Sequence, residues 1–163
     1  MFIVMGVSGC GKSTLGQALA TRLGTPFIEG DALHPQANIA KMAAGIPLDD
    51  ADRQPFLEAV GNALRSAGPG SVAACSALKR RYRDLLRERA GDVRFVLPVM
   101  DRAMLAARMA ARQGHFMPTT LLDSQLATLE LPTPDEQAIC IDGSLPTTDQ
   151  VEAVLAQLKD TAT

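Results

Sequence analysis

Gly6-Val7-Ser8-Gly9-Cys10-Gly11-Lys12-Ser13-Thr14 decides how this chain is read. It fits G-x-x-x-x-G-K-[ST], a loop whose backbone wraps a polyphosphate. Backbone N–H groups must approach the anion closely, and Gly6, Gly9 and Gly11 allow the turn and leave no Cβ in the way. Lys12 would reach the β- and γ-phosphates, and the Ser13 hydroxyl would sit on Mg²⁺. The helix that follows would aim its positive end at the anion. The whole run Gly6–Thr14 is therefore the expected nucleotide-binding segment.

The flanks give the motif the setting it needs. Phe2-Ile3-Val4-Met5 is a short apolar run, as a buried parallel strand should be. After the loop, Leu15, Leu19 and Leu23 recur at helical spacing, and Gly24 supplies a stop. Strand, loop and helix follow in order.

Composition narrows the class. The chain has 163 residues, a length that suits one domain with its own core, taken as 1–163. A net charge of −2 gives no overall pull toward nucleic acid or anionic membrane. No apolar run approaches the ~20 residues of a membrane span, and the first run is too short for a signal peptide. The three cysteines, Cys10, Cys75 and Cys140, lack metal-site spacing and are expected to be reduced thiols of a cytoplasmic protein. Cys75 and Cys140 lie in apolar runs and are expected in the core.

Further strands are expected at 25–28, 71–75, 93–99 and 138–141. Helices are expected from Pro35 to about Ala44, from about Lys79 to Arg89, from Asp101 to about Gln113, from about Thr120 to Leu129, and over Val151–Leu158. Asp49 and Asp50 offer N-caps for a longer helix with Phe56, Val60 and Leu64 inward, yet Pro55 suggests a start or kink near itself. Five strands alternating with helices predict an α/β fold, a parallel sheet covered on both faces. Ligands of such sheets sit over the C-terminal strand ends.

A phosphate loop alone does not separate a kinase from a switch or a motor. No Asn-Lys-x-Asp tetrapeptide for guanine occurs. The strand ending Ala73-Ala74-Cys75-Ser76 has no carboxylate of the kind motors place on Mg²⁺. A small-metabolite kinase needs a carboxylate near the acceptor hydroxyl, cations for the phosphoryl group and a cover against water. Asp31, at the end of the second strand, either accepts or orients the acceptor's proton or only forms the turn after Gly30. His34 is a substrate partner or a turn residue. Arg108 and Arg112 share one helix face beside Gly114, which suits a phosphate-covering lid as well as a solvated helix. The basic segment from Lys79 to Arg89 is interleaved with acids and is expected to be mostly a solvated face, with Lys79 nearest the strand end. Arg53 is a similar candidate for an anionic substrate.

At these residues the chain resembles the gluconokinases, small P-loop kinases of D-gluconate. The resemblance runs through Met5–Ser13, Gly30-Asp31-Ala32-Leu33-His34-Pro35 with Asn38–Met42, and Gly45–Arg53. It continues through Cys75-Ser76-Ala77-Leu78-Lys79 to Arg87, Arg112–Met117 and Leu122–Glu130. It implies a nucleoside-kinase-like three-layer fold with a helical lid over about 108–130. It implies ATP and Mg²⁺ as cofactors, D-gluconate as substrate and often a homodimer. It places Asp31 near the 6-hydroxyl, His34, Arg53, Ser76 and Lys79 on the gluconate site, and Arg108, Arg112 and His115 in the lid. A polyol asks for hydrogen-bonding side chains, and its carboxylate asks for Lys or Arg. Kinases of other small acceptors, such as shikimate, and a non-enzymatic nucleotide-regulated module are the alternatives.

Overall fold

The computed structural model describes residues 1–111 and 119–160. Strands β1 (Phe2–Val4), β2 (Phe27–Glu29), β3 (Val72–Ala74), β4 (Arg94–Val99) and β5 (Ile139–Asp142) form one parallel sheet in the order β2-β3-β1-β4-β5. The helices described are α1 (Lys12–Leu23), α2 (Gln36–Ala43), α3 (Asp50–Ala67), α4 (Arg80–Ala90), α5 (Arg102–Ala111), α6 (Thr119–Thr128) and α7 (Thr147–Asp160). None of them is long and apolar enough to cross a membrane.

The central strand explains its own apolar run. Ile3 and Met5 pack on one face with Phe56, Val60, Leu86 and Phe95. Val4 packs on the other with Leu15, Leu19, Val96 and Val154. A strand buried on both faces has no reason to alternate. A third, smaller cluster of Val7, Cys10, Leu78, Leu105 and Leu122 ties α5 and α6 to the loop after β1.

Two expectations change. Helix α3 starts at Asp50, ahead of Pro55, because Asp49 and Asp52 close a reciprocal capping box. Asp52 N–H donates to Asp49 Oδ1 at 2.8 Å, and Asp49 N–H donates to Asp52 Oδ2 at 3.0 Å. That box satisfies the helix start and carries the chain past the proline. Cys140 is exposed instead of buried. It lies on edge strand β5, where Ile139 and Ile141 turn inward and the pleat sends Cys140 outward.

The strand order fixes the layout of the site. Along the C-terminal edge of the sheet lie, in turn, the segment after β2 with Asp31 and His34, the Ser76–Lys79 segment after β3, the glycine loop after β1, and the Gly143–Pro146 turn after β5.

Candidate active site

The loop after β1 has the backbone its glycines permit. Gly6, Gly9 and Gly11 have φ of 130°, 83° and 87°, which side-chain-bearing residues rarely adopt. At Gly9 space is also short, since a Cβ would lie 2.9 Å from Met109 Cγ. Helix α1 starts at Lys12 with Gly11 as N-cap and no side-chain cap, so its first amides are open to an anion. Lys12 Nζ donates to Val7 O at 3.0 Å, folded back over the loop. Ser8 N–H donates to Gln125 Oε1 of α6 at 2.7 Å. The glutamine therefore holds a loop amide of the kind a phosphate takes, a role its place in an ordinary helical stretch did not signal.

Cys10 and Ser13 turn out to differ in kind. The Cys10 side chain is buried among Val7, Leu105 and Leu122. Its Sγ faces the Met5 carbonyl at 3.9 Å. Only its backbone is available to a phosphate, so Cys10 is a small filler residue and not an exposed nucleophile. Ser13 is half-buried at the start of α1. Among the described residues no group of three or more His, Cys, Asp or Glu is placed to hold a metal. The Ser13 hydroxyl, at the first turn of α1 beside the glycine loop, is the donor that would meet an ion arriving on a nucleotide.

On the β2 side, Gly30 is forced by contact. A Cβ there would lie 2.0 Å from the Ala74 carbonyl oxygen. This close approach lays the 3-10 turn Gly30–Leu33 against β3 and presents Asp31 and His34 at the sheet edge. The Asp31 side chain is 77% exposed and the His34 side chain only 6%, with His34 Nε2 4.0 Å from Asp31 Oδ1. The imidazole stacks on Phe56, ring centroids 3.7 Å apart and planes 10° apart. Burial lowers the His34 pKa below its usual value; Asp31 opposes the shift and Arg53 adds to it. Cys75, at the end of β3, marks how closely these groups converge. Burial pushes its thiol up to about 12, and the charges acting on it are those of Asp31, Lys12 and Arg53.

A cationic cluster adjoins this pair. Arg53, Lys79 and Arg81 lie 5.8, 5.7 and 5.5 Å from the centroid of the Tyr82 ring. Asp50 sits among them, 3.2 Å from Lys79 Nζ, paired with Arg81 and accepting from the Tyr82 hydroxyl. One protein carboxylate thus already occupies a place suited to a carboxylate. Arg53 Nε donates to Leu48 O at 3.3 Å, and the Ser76 carbonyl accepts from Gly6 N–H at 3.1 Å, which joins the β3 segment to the glycine loop.

The basic segment is not all solvated face. Arg83 is fully buried and forms a two-pronged pair with Glu136, Nε–Oε2 2.6 Å and Nη2–Oε1 2.8 Å. The pair holds the Glu136 carboxyl well below the usual range, at about 2. Arg83 Nη1 also donates to the carbonyls of Ala77 (3.2 Å) and Glu130 (3.0 Å). Ala77 has φ 43°, a left-handed conformation that a non-glycine residue keeps only when its surroundings hold it. Arg83 thereby clamps the turn that carries Ser76 and Lys79. Its position between Tyr82 and Leu86 on the buried face of α4 was the available signal.

On the β5 side, Arg108 Nη2 donates to Gly143 O at 3.0 Å. Its Nη1 lies 3.7 Å from where a Cβ on Gly11 would be. Arg108, Gly11, Thr14, Leu145, Pro146 and Gln150 line a cleft of about 390 Å³ beside the loop. Arg112 and His115 lie outside the described residues. The structure thus gathers Asp31, His34, Arg53, Ser76 and Lys79 on one side of the glycine loop and Arg108 on the other.

Known proteins resemble the chain over most of its length. The AAA domain family model matches residues 1–132. A gluconokinase from Gluconobacter oxydans is 54% identical over 86% of this chain and 81% of its own length. The thermosensitive gluconokinase of Escherichia coli is 48% identical over 85% of this chain and 75% of its own. The crystal structure of a gluconokinase from Sinorhizobium meliloti superposes with a TM-score of 0.90 at 51% identity, covering 99% of this chain and 92% of that one. With about half of its residues identical to these proteins over most of its length, and with the same fold, the chain belongs to the gluconokinase family.

Proposed function

We propose that the protein transfers the γ-phosphoryl group of ATP to the 6-hydroxyl of D-gluconate, giving 6-phospho-D-gluconate and ADP. The observation that carries this reading is the 54% identity to a gluconokinase across 86% of the chain. The site chemistry agrees with it.

In this reading the nucleoside lies in the cleft beside Arg108 and the phosphates lie on the glycine loop. Lys12 leaves the Val7 carbonyl for the β- and γ-phosphates, and Arg108 covers the transferring group with Arg112 and His115 of the lid. The Ser13 hydroxyl would help hold Mg²⁺ brought by the nucleotide, and that ion would supply charge neutralisation at the phosphates. Gluconate lies on the β2 and β3 side, its carboxylate on Arg53 and Lys79 and its hydroxyls on His34 and Ser76. Asp31 accepts or orients the 6-hydroxyl proton. Most of the rate then comes from positioning and fixed charge, as expected for a loose phosphoryl-transfer transition state.

ADP production measured over D-gluconate, other aldonates and shikimate tests the reading. Turnover should depend on an aldonate and be highest with D-gluconate. Turnover with shikimate alone, or ATP binding without turnover on any acceptor, would overturn it.

A further inference from the structure

Asn38 sits in the first turn of α2 and is 2% exposed. A buried amide must find partners, and those of Asn38 decide a question about His34. Its Nδ2 donates to the Asp52 backbone carbonyl at 2.8 Å. A carbonyl only accepts, so the atom facing it is the nitrogen, and the amide's orientation is fixed. The same Nδ2 lies 3.4 Å from His34 Nδ1. An NH₂ group offers two hydrogens and no acceptor, so His34 Nδ1 must carry the lone pair. The proton of the neutral ring then belongs on Nε2, which points to Asp31 Oδ1 at 4.0 Å. Stacking on Phe56 holds the ring in that plane.

We propose that Asn38 is a positioning residue that locks His34 as its Nε2–H tautomer. His34 and Asp31 then offer one donor and one acceptor to a single substrate hydroxyl. The spacing suits this: two ordinary hydrogen bonds of about 2.8 Å meeting at one oxygen span 4.0 Å at an angle of about 91°. The hydroxyl's hydrogen goes to Asp31, and its oxygen accepts from Nε2–H. With the other tautomer two acceptors would face the hydroxyl, and one lone pair would be left without a proton. The proposal rests on the reading of Asp31 as partner of the acceptor hydroxyl.

The chain has two histidines, His34 and His115, so ring ¹⁵N spectra of the labelled protein are simple to assign with a His34→Gln variant. In the wild-type protein at pH 7.5, His34 should show a protonated Nε2 and a bare Nδ1. A protonated Nδ1 overturns the proposal without any further variant, whether or not Asp31 has the role given to it. Asn38→Asp replaces the donor by a pure acceptor and should move the proton to Nδ1. A wrong tautomer lowers kcat by about 10⁴ where the histidine carries the proton in a catalytic triad. Here His34 only orients, so kcat/KM for gluconate should fall by about 10²-fold, with KM for ATP unchanged within about twofold. Retained Nε2–H in that variant, or a flipped tautomer with undiminished kcat/KM, contradicts the proposal. If Asn38→Asp does not fold, the wild-type spectrum alone decides. A loss of activity in Asp31→Asn tests the other reading, because it does not depend on the His34 spectrum.

Discussion

At the scale of single residues, chemistry and packing are separable. Lys12 is half-buried and, among the described residues, donates to the Val7 carbonyl, so Lys12→Ala should fold normally. Its phosphoryl transfer should drop by orders of magnitude through lost charge stabilisation, measured by steady-state turnover beside a melting curve. The Asp31 side chain is largely exposed at the sheet edge. Asp31→Asn should lower kcat with gluconate by at least ~10²-fold and leave ATP affinity nearly unchanged. Retention of most of kcat at saturating gluconate would remove Asp31 from the reaction. His34 sets a pH dependence. Its folded pKa lies below 6.5, the unfolded value, so the unfolded chain binds more protons just below pH 6.5. Stability should therefore be full above pH 6.5 and decline as pH falls toward the folded pKa, less so in His34→Gln. The cysteines were legible only in part. Apolar runs correctly located Cys75 in the core, but the run around Cys140 is an edge strand whose pleat exposes every second residue. A thiol reagent should label Cys140 first and leave activity intact, as peptide mass mapping with an assay would show.

At the scale of elements, the strands and most helices were legible because their apolar periods are strong. The start of α3 was legible in part, since Asp49 was an offered N-cap while Pro55 suggested a later start or a kink; the reciprocal partner Asp52, three residues on, was missed. Arg83 was also missed. A charge within a basic run looks solvated until helical phase puts it on the Tyr82 and Leu86 face. Its partner Glu136 lies far along the chain, and no local pattern joins them. Because the carboxyl is held at about 2 in the folded protein against 4.5 otherwise, the pair stabilises the fold above pH 4.5. That stability is lost as pH falls from 4.5 toward 2. Glu136→Gln should lose this acid step and destabilise by about 3–5 kcal/mol, because Arg83 is left buried without its counter-charge. It should also raise KM for gluconate, through the Ala77 turn, more than KM for ATP. Denaturant melts across pH and the two Michaelis constants check this. The contact of Arg108 with the turn after β5 and that of Gln125 with the glycine loop motivate a lid role for α5 and α6. Hydrogen exchange in both helices should slow when ATP and gluconate are added together, and unchanged exchange would speak against it.

At the scale of the molecule, the strand order arranges one reaction along one sheet edge. In the proposed reaction donor chemistry would lie between β1 and β5 and acceptor chemistry at β2 and β3, with the glycine loop between them. The alternation of strands and helices was enough to foresee a parallel sheet, but not the order β2-β3-β1-β4-β5, which depends on long-range pairing. That order sets Lys12 and Asp31 close enough that both charges act on one buried thiol, Cys75. The central claim is that phosphate passes from a nucleotide on the loop to a hydroxyl beside Asp31. Phosphorus and proton spectra of the product formed from ATP and D-gluconate test it most directly. The expected result is one phosphate ester on the 6-oxygen for each ADP formed, nearly absent with Asp31→Asn. An ester at another oxygen, or ADP formed with inorganic phosphate and no ester, would contradict the account.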